Sequence, residues 1–225
     1  MTGHAVGIDH VGVVGPALDD LARSFAALGF LVTPRATHEG GRTGNHCVML
    51  DGSYLELVST APGGASATLA RFLARYSGVH ILALRIADPE AAVARLERAG
   101  FAGLVATTSV RALSDTDATE VGFTLVTPPD LPEGRVHLIR HRDPEVMWQP
   151  RFMAHPNGAM RLAEISIATD DPARTASAFS AIAGRPVAPD SAGGYVLEAG
   201  GQRLRFLPPA AMPAAPPALP WIGVM

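Results

Sequence analysis

The sequence predicts an α+β fold built from repeated β-α-β-β-β modules. Three segments carry this prediction: "IDHVGVVGPALDDLARSFAALGF", "HILALRIADPEAAVARLERAGF" and "AEISIATDDPARTASAFSAIAGRPV". Each begins with an aliphatic strand, turns at Asp or Pro, continues as an Ala-rich helix and stops at a glycine. Because self-similarity at this scale determines architecture, the repeat takes precedence over local propensity.

The ends of the three helices have recognisable signals. Asp19, Asp88 and Asp171 lie where a helix N-cap or first turn favours a hydrogen-bond acceptor. The terminal glycines, Gly29, Gly100 and Gly184, lie where a left-handed residue ends a helix. These signals predict one helix in each repeat.

Short strand-like runs complete the modules. The first helix is followed by "GFLVTPRA", "GNHCVML" and "SYLELVS", and the second by "GLVATTSV", "EVGFTLVT" and "RVHLIRH". Residues 5–62 and 78–143 therefore form two modules within a unit at 5–146. A third, partial module with a Pro-rich tail occupies 155–225.

Each module alone would leave one sheet face uncovered, so the first two are expected to pair into a cupped, curved sheet with helices outside. The third copy has no fourth module to pair with. Its apolar face is expected to be covered by the Pro-rich tail or by another subunit, which would make a homodimer.

Composition excludes several classes of function. The 225 residues are 48% hydrophobic with a net charge of -3, and there is no basic run of the kind that binds nucleic acid or a membrane surface. No signal peptide or apolar run long enough to span a bilayer is recognisable. The single cysteine, Cys47, lies in a strand-like run and is interpreted as a core residue. These features favour a soluble cytoplasmic protein.

The tandem modules beginning "IDHVGVV" and closing with "YLEL" resemble the vicinal oxygen chelate superfamily, which contains glyoxalase I, bleomycin-resistance proteins and extradiol dioxygenases. The runs "GRTGNHCVMLDGSYLELVS", "HRDPEVMW" and "HPNGA" resemble its glyoxalase-like branch more narrowly. The resemblance spans nearly the whole chain. It implies a fold but not one activity, because this scaffold hosts isomerases, lyases, dioxygenases and non-catalytic binders.

The resemblance implies metal ligands at His10 on the first strand and Glu56 on the last strand of module one. Strand alternation agrees: Tyr54, Glu56 and Val58 share one face, and the flanking leucines share the other. A carboxylate between two leucines is costly to bury without a cation or hydrogen-bonding partner. A Glu at an open sheet edge would explain the pattern as well.

The second module must supply a further ligand. His80 lies one residue out of phase, on the helix side, and Ile81 occupies the position equivalent to His10 unless a bulge intervenes. On the last strand, His137 and His141 share one face, and the resemblance favours His141. In the third copy, Glu164 takes the first-strand position without an evident partner.

A set of His10, Glu56 and His141 would leave open positions on Zn, Mn, Fe or Ni. Such an ion could act as a Lewis acid on a small substrate with vicinal oxygens, in an isomerase, lyase or dioxygenase reaction with Glu56 as an acid/base candidate. Arg42, Arg85 and Arg140 are candidates for holding a carboxylate, although exposed arginines are more often solvated. The alternative, which Ile81 favours, is a metal-free small-molecule binder or drug-sequestering protein.

Overall fold

The computed structural model describes residues 3–38 and 40–224. The strands within these residues are β1 Ala5–Val14, β2 Ala36–Thr37, β3 Thr43–Leu50, β4 Ser53–Thr60, β5 Gly78–Ile86, β6 Thr107–Ser114, β7 Asp117–Val126, β8 Arg135–His141, β9 Glu164–Ala168, β10 Val187–Pro189, β11 Tyr195–Ala199, β12 Gln202–Leu207 and β13 Trp221–Val224. The helices are α1 Leu18–Ala27, α2 Ala67–Leu73, α3 Pro89–Arg98, α4 Pro144–Met147 and α5 Pro172–Ala183.

The first two modules pair into one curved sheet, as predicted, and they meet through their first strands. β1 and β5 are antiparallel neighbours, and the two modules follow outward in the order β2-β3-β4-β1-β5-β8-β7-β6. The two edges of this curved sheet approach each other, because β2 contacts β6 and the Asp115 N–H donates to the Arg35 carbonyl at 2.7 Å. The resulting concave face is closed on itself much as in a small barrel.

The opposite face of the sheet carries the main core. Leu57 on β4 and Leu84 on β5 are fully buried, and they join Leu18 of α1 and Leu96 of α3 in one apolar cluster. Truncating a leucine in such a setting to alanine costs about 2–5 kcal/mol. Because these leucines face the helices, the alternate residues of β4 and β5 face the concave side of the sheet.

The helix boundaries follow the predicted signals. Asp88 Oδ1 accepts from the Ala91 N–H at 2.9 Å, and Asp171 Oδ1 accepts from the Arg174 N–H at 3.0 Å. Asp19 lies in the first turn of α1. Gly184, which ends α5, has a left-handed φ of 64°, a conformation that glycine adopts at low cost.

One predicted strand is much shorter than its sequence suggested. Of "GFLVTPRA", only the last residue, Ala36, belongs to a strand, the two-residue β2. Thr33 instead bonds to β3 individually: its N–H donates to the Cys47 carbonyl at 2.9 Å, and its hydroxyl accepts from the Cys47 N–H at 2.8 Å. Pro34 then has no N–H to continue a ladder. Helix α2 and strand β13 were not predicted.

The third module contains β9, α5 and β10 to β12. The tail after the Pro-rich stretch ends in β13, which lies antiparallel between β9 and β5 and joins this module to the paired ones in a single sheet of thirteen strands within the described residues. Glu164, for which the sequence offered no partner, is bound by Arg203 at 2.8 Å and Arg205 at 3.2 Å. In the described part of the chain, no helix is long and apolar enough to cross a membrane.

Candidate functional site

The concave face of the paired modules encloses a cavity of about 520 Å³, called the cup here. Strand alternation directs residues of both modules into it, as the sequence predicted for Tyr54, Glu56, Val58 and Ile81. The residues that matter for its chemistry are His10, His38, Tyr54, Glu56, Ile81, Arg111, Arg135, His137 and His141.

A bulge in β1 gives the site an additional carboxylate. Ile8 pairs with Leu84 and His10 pairs with Ala83, so Asp9 is an extra residue in the ladder. Regular alternation would place the side chain of Asp9 on the face opposite to that of His10. The bulge instead lets Asp9 reach the histidines of the cup, since a bulge re-aims the side chains of a strand.

Asp9 is fully buried and organises three cationic or hydrogen-bonding groups. Its Oδ1 lies 2.9 Å from His10 Nδ1 and 3.0 Å from His141 Nε2, while its Oδ2 accepts from Arg85 Nε at 3.0 Å. Burial alone would raise the pKa of Asp9, but the bonds and charges of the two histidines hold it well below its usual value. Asp9 is therefore ionised and fixes the orientation of the His10 ring.

Glu56 on β4 lies beside His10, which is on the neighbouring strand β1. Its Oε1 accepts from Asn45 Nδ2 at 2.6 Å and lies 3.1 Å from His38 Nε2, whereas its Oε2 is 4.0 Å from His10 Nε2. Burial opposes ionisation, yet the hydrogen bond and charge of His38, the charge of His10 and the bond from Asn45 lower the pKa of Glu56. The carboxylate is thus charged, with one oxygen held by the protein.

Sequence reasoning missed His38. It follows the two-residue strand β2 and precedes a Gly-rich loop, so no alternation assigns it a face. The pairing of β2 with β3 brings it beside Asn45, and its Nδ1 lies 2.7 Å from Thr43 Oγ1. Nothing short of the strand pairing would have identified it.

His80 lies outside the cup, as its position in the strand alternation of β5 predicted. Its ring stacks on the rings of Phe72 and Tyr76, with centroid separations of 4.9 and 4.0 Å. Its Nε2 lies 2.8 Å from the Tyr76 carbonyl oxygen. Burial lowers the pKa of His80, so it is neutral. Ile81 lines the cup in its place.

The two histidines of β8 occupy different surroundings. The register places His10, Ala83 and His137 in one row across β1, β5 and β8. His137 Nδ1 lies 2.8 Å from Thr127 Oγ1, and burial, with smaller contributions from the charges of His10 and Arg135, lowers its pKa to about 4. His141 lies four residues further along β8, with its Nε2 3.0 Å from Asp9 Oδ1. Its ring is edge-on to that of Trp148, with 5.2 Å between the ring centroids.

The donor atoms of the cup can be tested against a divalent ion. Within residues 3–38 and 40–224, no group of three His, Cys, Asp or Glu side chains has the arrangement of a complete metal site. Two of the donor atoms are close to the separation that a shared ion requires. His10 Nε2 and Glu56 Oε2 are 4.0 Å apart, and two ligand atoms on one ion lie about 3–3.5 Å apart. Neither atom forms a hydrogen bond to a described residue. A histidine whose other nitrogen is held by a carboxylate is a common metal ligand.

Comparison with known proteins gives the family and the fold. Residues 8–183 match the family model described as a glyoxalase-like domain. No curated protein matches the chain significantly. A hypothetical protein from Staphylococcus aureus is similar in structure, with a TM-score of 0.69 and 15% identity over 88% of this chain and 84% of that one.

Two larger proteins share the fold. A mutant of 4-hydroxymandelate synthase from Streptomyces coelicolor matches with a TM-score of 0.55 and 16% identity, over 90% of this chain and 62% of that one. A xylose isomerase-like TIM barrel/4-hydroxyphenylpyruvate dioxygenase fusion protein matches with a TM-score of 0.58 and 15% identity, over 100% of this chain and 36% of that one.

At these identities the structural neighbours show the fold alone, and the match to the family model confirms the resemblance to the glyoxalase-like branch. The family match covers well over half of the 225 residues. The chain therefore belongs to the glyoxalase-like domain family.

Proposed function

We propose that this protein is a glyoxalase-like enzyme that uses a divalent metal ion in the cup to act on a small substrate with two neighbouring oxygens. One observation carries the proposal: His10 Nε2 and Glu56 Oε2 lie 4.0 Å apart, facing the same cavity. Asp9 holds the other nitrogen of His10 at 2.9 Å, and this outer carboxylate is the usual support of a metal-binding histidine.

The third ligand is proposed to come from β8. The resemblance favours His141, but its Nε2 would have to leave the Asp9 carboxylate at 3.0 Å. His137 shares the row of His10 and lines the cup, and its described hydrogen bond, to Thr127 Oγ1 at 2.8 Å, is made by Nδ1 rather than Nε2. We therefore propose His137 as the third ligand and His141 as its alternative. Metal affinity reduced more by His137→Ala than by His141→Ala supports this order, and the opposite result reverses it.

The bound ion would polarise a substrate carbonyl as a Lewis acid. The protein's own groups would orient and move protons around it. Glu56 is ionised at neutral pH, and His38 bridges its Oε1 to Thr43 Oγ1 through bonds of 3.1 and 2.7 Å. That chain could carry a proton between the substrate and the rim of the cup. Ile139 and Ile81 add apolar surface to the wall of the cup.

A metal-free binder remains the second candidate, and two observations favour it. Ile81 replaces a possible ligand on β5. His38 and Asn45 already satisfy one oxygen of Glu56 without an ion. In that case the cup would hold an apolar or aromatic ligand against the same walls.

Metal binding after complete chelation separates the two candidates. The stripped protein is reloaded separately with Zn, Mn, Fe(II) and Ni, and bound metal is measured by elemental analysis together with the unfolding temperature. The proposal expects about one equivalent of at least one ion, a raised unfolding temperature, and loss of both in His10→Ala. His46→Gln is the matched control, because its Nδ1 bonds to the Thr33 carbonyl, away from the cup. If none of the four ions binds, the metal proposal is wrong and the metal-free binder is the function supported.

A further inference from the structure

We propose that the substrate of the cup carries a carboxylate and that Arg111 on β6 binds it. This inference deepens the proposed function of the cup as a small-molecule site. It concerns a residue that the sequence did not single out.

The contacts of Arg111 leave half of its guanidinium available. Its Nη1 donates to the carbonyl oxygens of Ala112 at 2.8 Å and Leu113 at 3.4 Å. Among the described residues, no hydrogen bond reaches its Nε or Nη2, and no carboxylate lies within ion-pair distance of it. The Nε–Nη2 edge of a guanidinium is a fork that matches the two oxygens of a carboxylate. The two backbone bonds hold that fork in place.

The other arginines near the cup are either paired with a carboxylate or exposed. Arg135 is bound bidentately by Asp130, at 2.8 and 3.1 Å, and is thereby neutralised. Arg85 is paired with Asp9 at 3.0 Å. Arg42 lines the rim of the cup but is exposed, and Arg140 is exposed on the other face of β8. Arg111 is half-buried, where a charge-assisted bond is screened less than at the surface.

The position of Arg111 indicates the shape of the substrate. Arg111 and Met147 line both the cup and a second cavity of about 410 Å³. Phe123 and Leu125 on β7 add an apolar wall on the cup side. The ligand class is therefore a carboxylate joined to an apolar body, with the carboxylate at the boundary of the two cavities.

The test compares acids with their neutral amides in metal-free protein. Benzoate, phenylacetate and 3-phenylpropanoate, each paired with its amide, are titrated calorimetrically into wild type, Arg111→Gln, Arg111→Lys and Arg140→Gln after chelation. Arg140→Gln removes the same charge from a residue outside the cup. Unfolding temperatures establish that each variant is folded.

Wild type is expected to bind at least one acid about tenfold or more tightly than its amide, since hydrogen bonds to charged groups are the stronger ones. Arg111→Gln should abolish that preference, Arg111→Lys should retain part of it, and Arg140→Gln should retain all of it. Equal affinity for acid and amide in wild type would overturn the inference, as would a preference that survives Arg111→Gln.

Absence of binding by all three pairs up to about 10 mM, where a single ion pair should still register, would also overturn it. Because the titrations are done without metal, their outcome is independent of metal binding. Failure of the metal proposal shows as absent bound metal in the reloading experiment, whatever the acids do.

Discussion

Replacing Asp9 by Asn tests the link between the buried carboxylate and the cup. The substitution keeps the size of the side chain but removes its charge. It also replaces an acceptor oxygen by an NH₂ group that must face either Arg85 Nε or the nitrogens of His10 and His141, which now lie at 2.9 to 3.0 Å from the carboxylate.

Two effects of known size follow. Breaking a buried ion pair by removing one partner costs about 3–5 kcal/mol. Arg85 is about a third exposed and can regain water, so a loss of about 3 kcal/mol in the free energy of unfolding is expected for Asp9→Asn. Loss of an outer carboxylate weakens metal binding by about 10–100-fold.

Urea unfolding measures the first effect, and titration of metal into the chelated protein measures the second. Asp51→Asn is the matched control, because Asp51 is exposed, and it should change stability by no more than about 0.5 kcal/mol. A folded Asp9→Asn variant with unaltered metal affinity would refute the idea that Asp9 positions His10 for an ion.

Three further outcomes are expected. Burial lowers the pKa of His137 to about 4. Because an unfolded histidine has a pKa of about 6.5, the unfolded state takes up a proton first as the pH falls, and the free energy of unfolding should decrease from about pH 6.5 to pH 4. His137→Gln should reduce this pH dependence of the free energy of unfolding, measured by urea titration. His80→Ala should cost about 2–4 kcal/mol through the lost stacking volume without changing metal content, and lost metal would contradict its assignment to the core. A hydrogen bond from Arg205 lowers the pKa of Asp190 to about 2, so its stabilising contribution should be present above about pH 4 and lost between pH 4 and 2, a loss that Asp190→Asn should diminish.

Much of the site could be predicted from strand alternation alone. In "SYLELVS", the flanking leucines had to face the core, which directed Glu56 into the cup. The same reasoning placed Ile81 in the cup and His80 outside it. These predictions succeeded because a one-residue error in register would expose every apolar residue of the strand.

What escaped prediction depends on contacts between distant segments. The bulge that brings Asp9 to His10 arises from the pairing of β1 with β5, and no local residue signals it. The approach of His38 to Glu56 requires β2 to pair with β3. The insertion of β13 between β9 and β5 follows a Pro-rich tail whose sequence predicts only an extended linker.

A crystal structure of metal-loaded protein tests the central claim most directly. Crystals of chelated protein are soaked with the ion that the reloading experiment identifies, and anomalous difference density is calculated at its absorption edge. One strong peak is expected in the cup, about 2.0–2.2 Å from both His10 Nε2 and a Glu56 carboxylate oxygen. A peak elsewhere, or none in the cup of a folded protein, would contradict it.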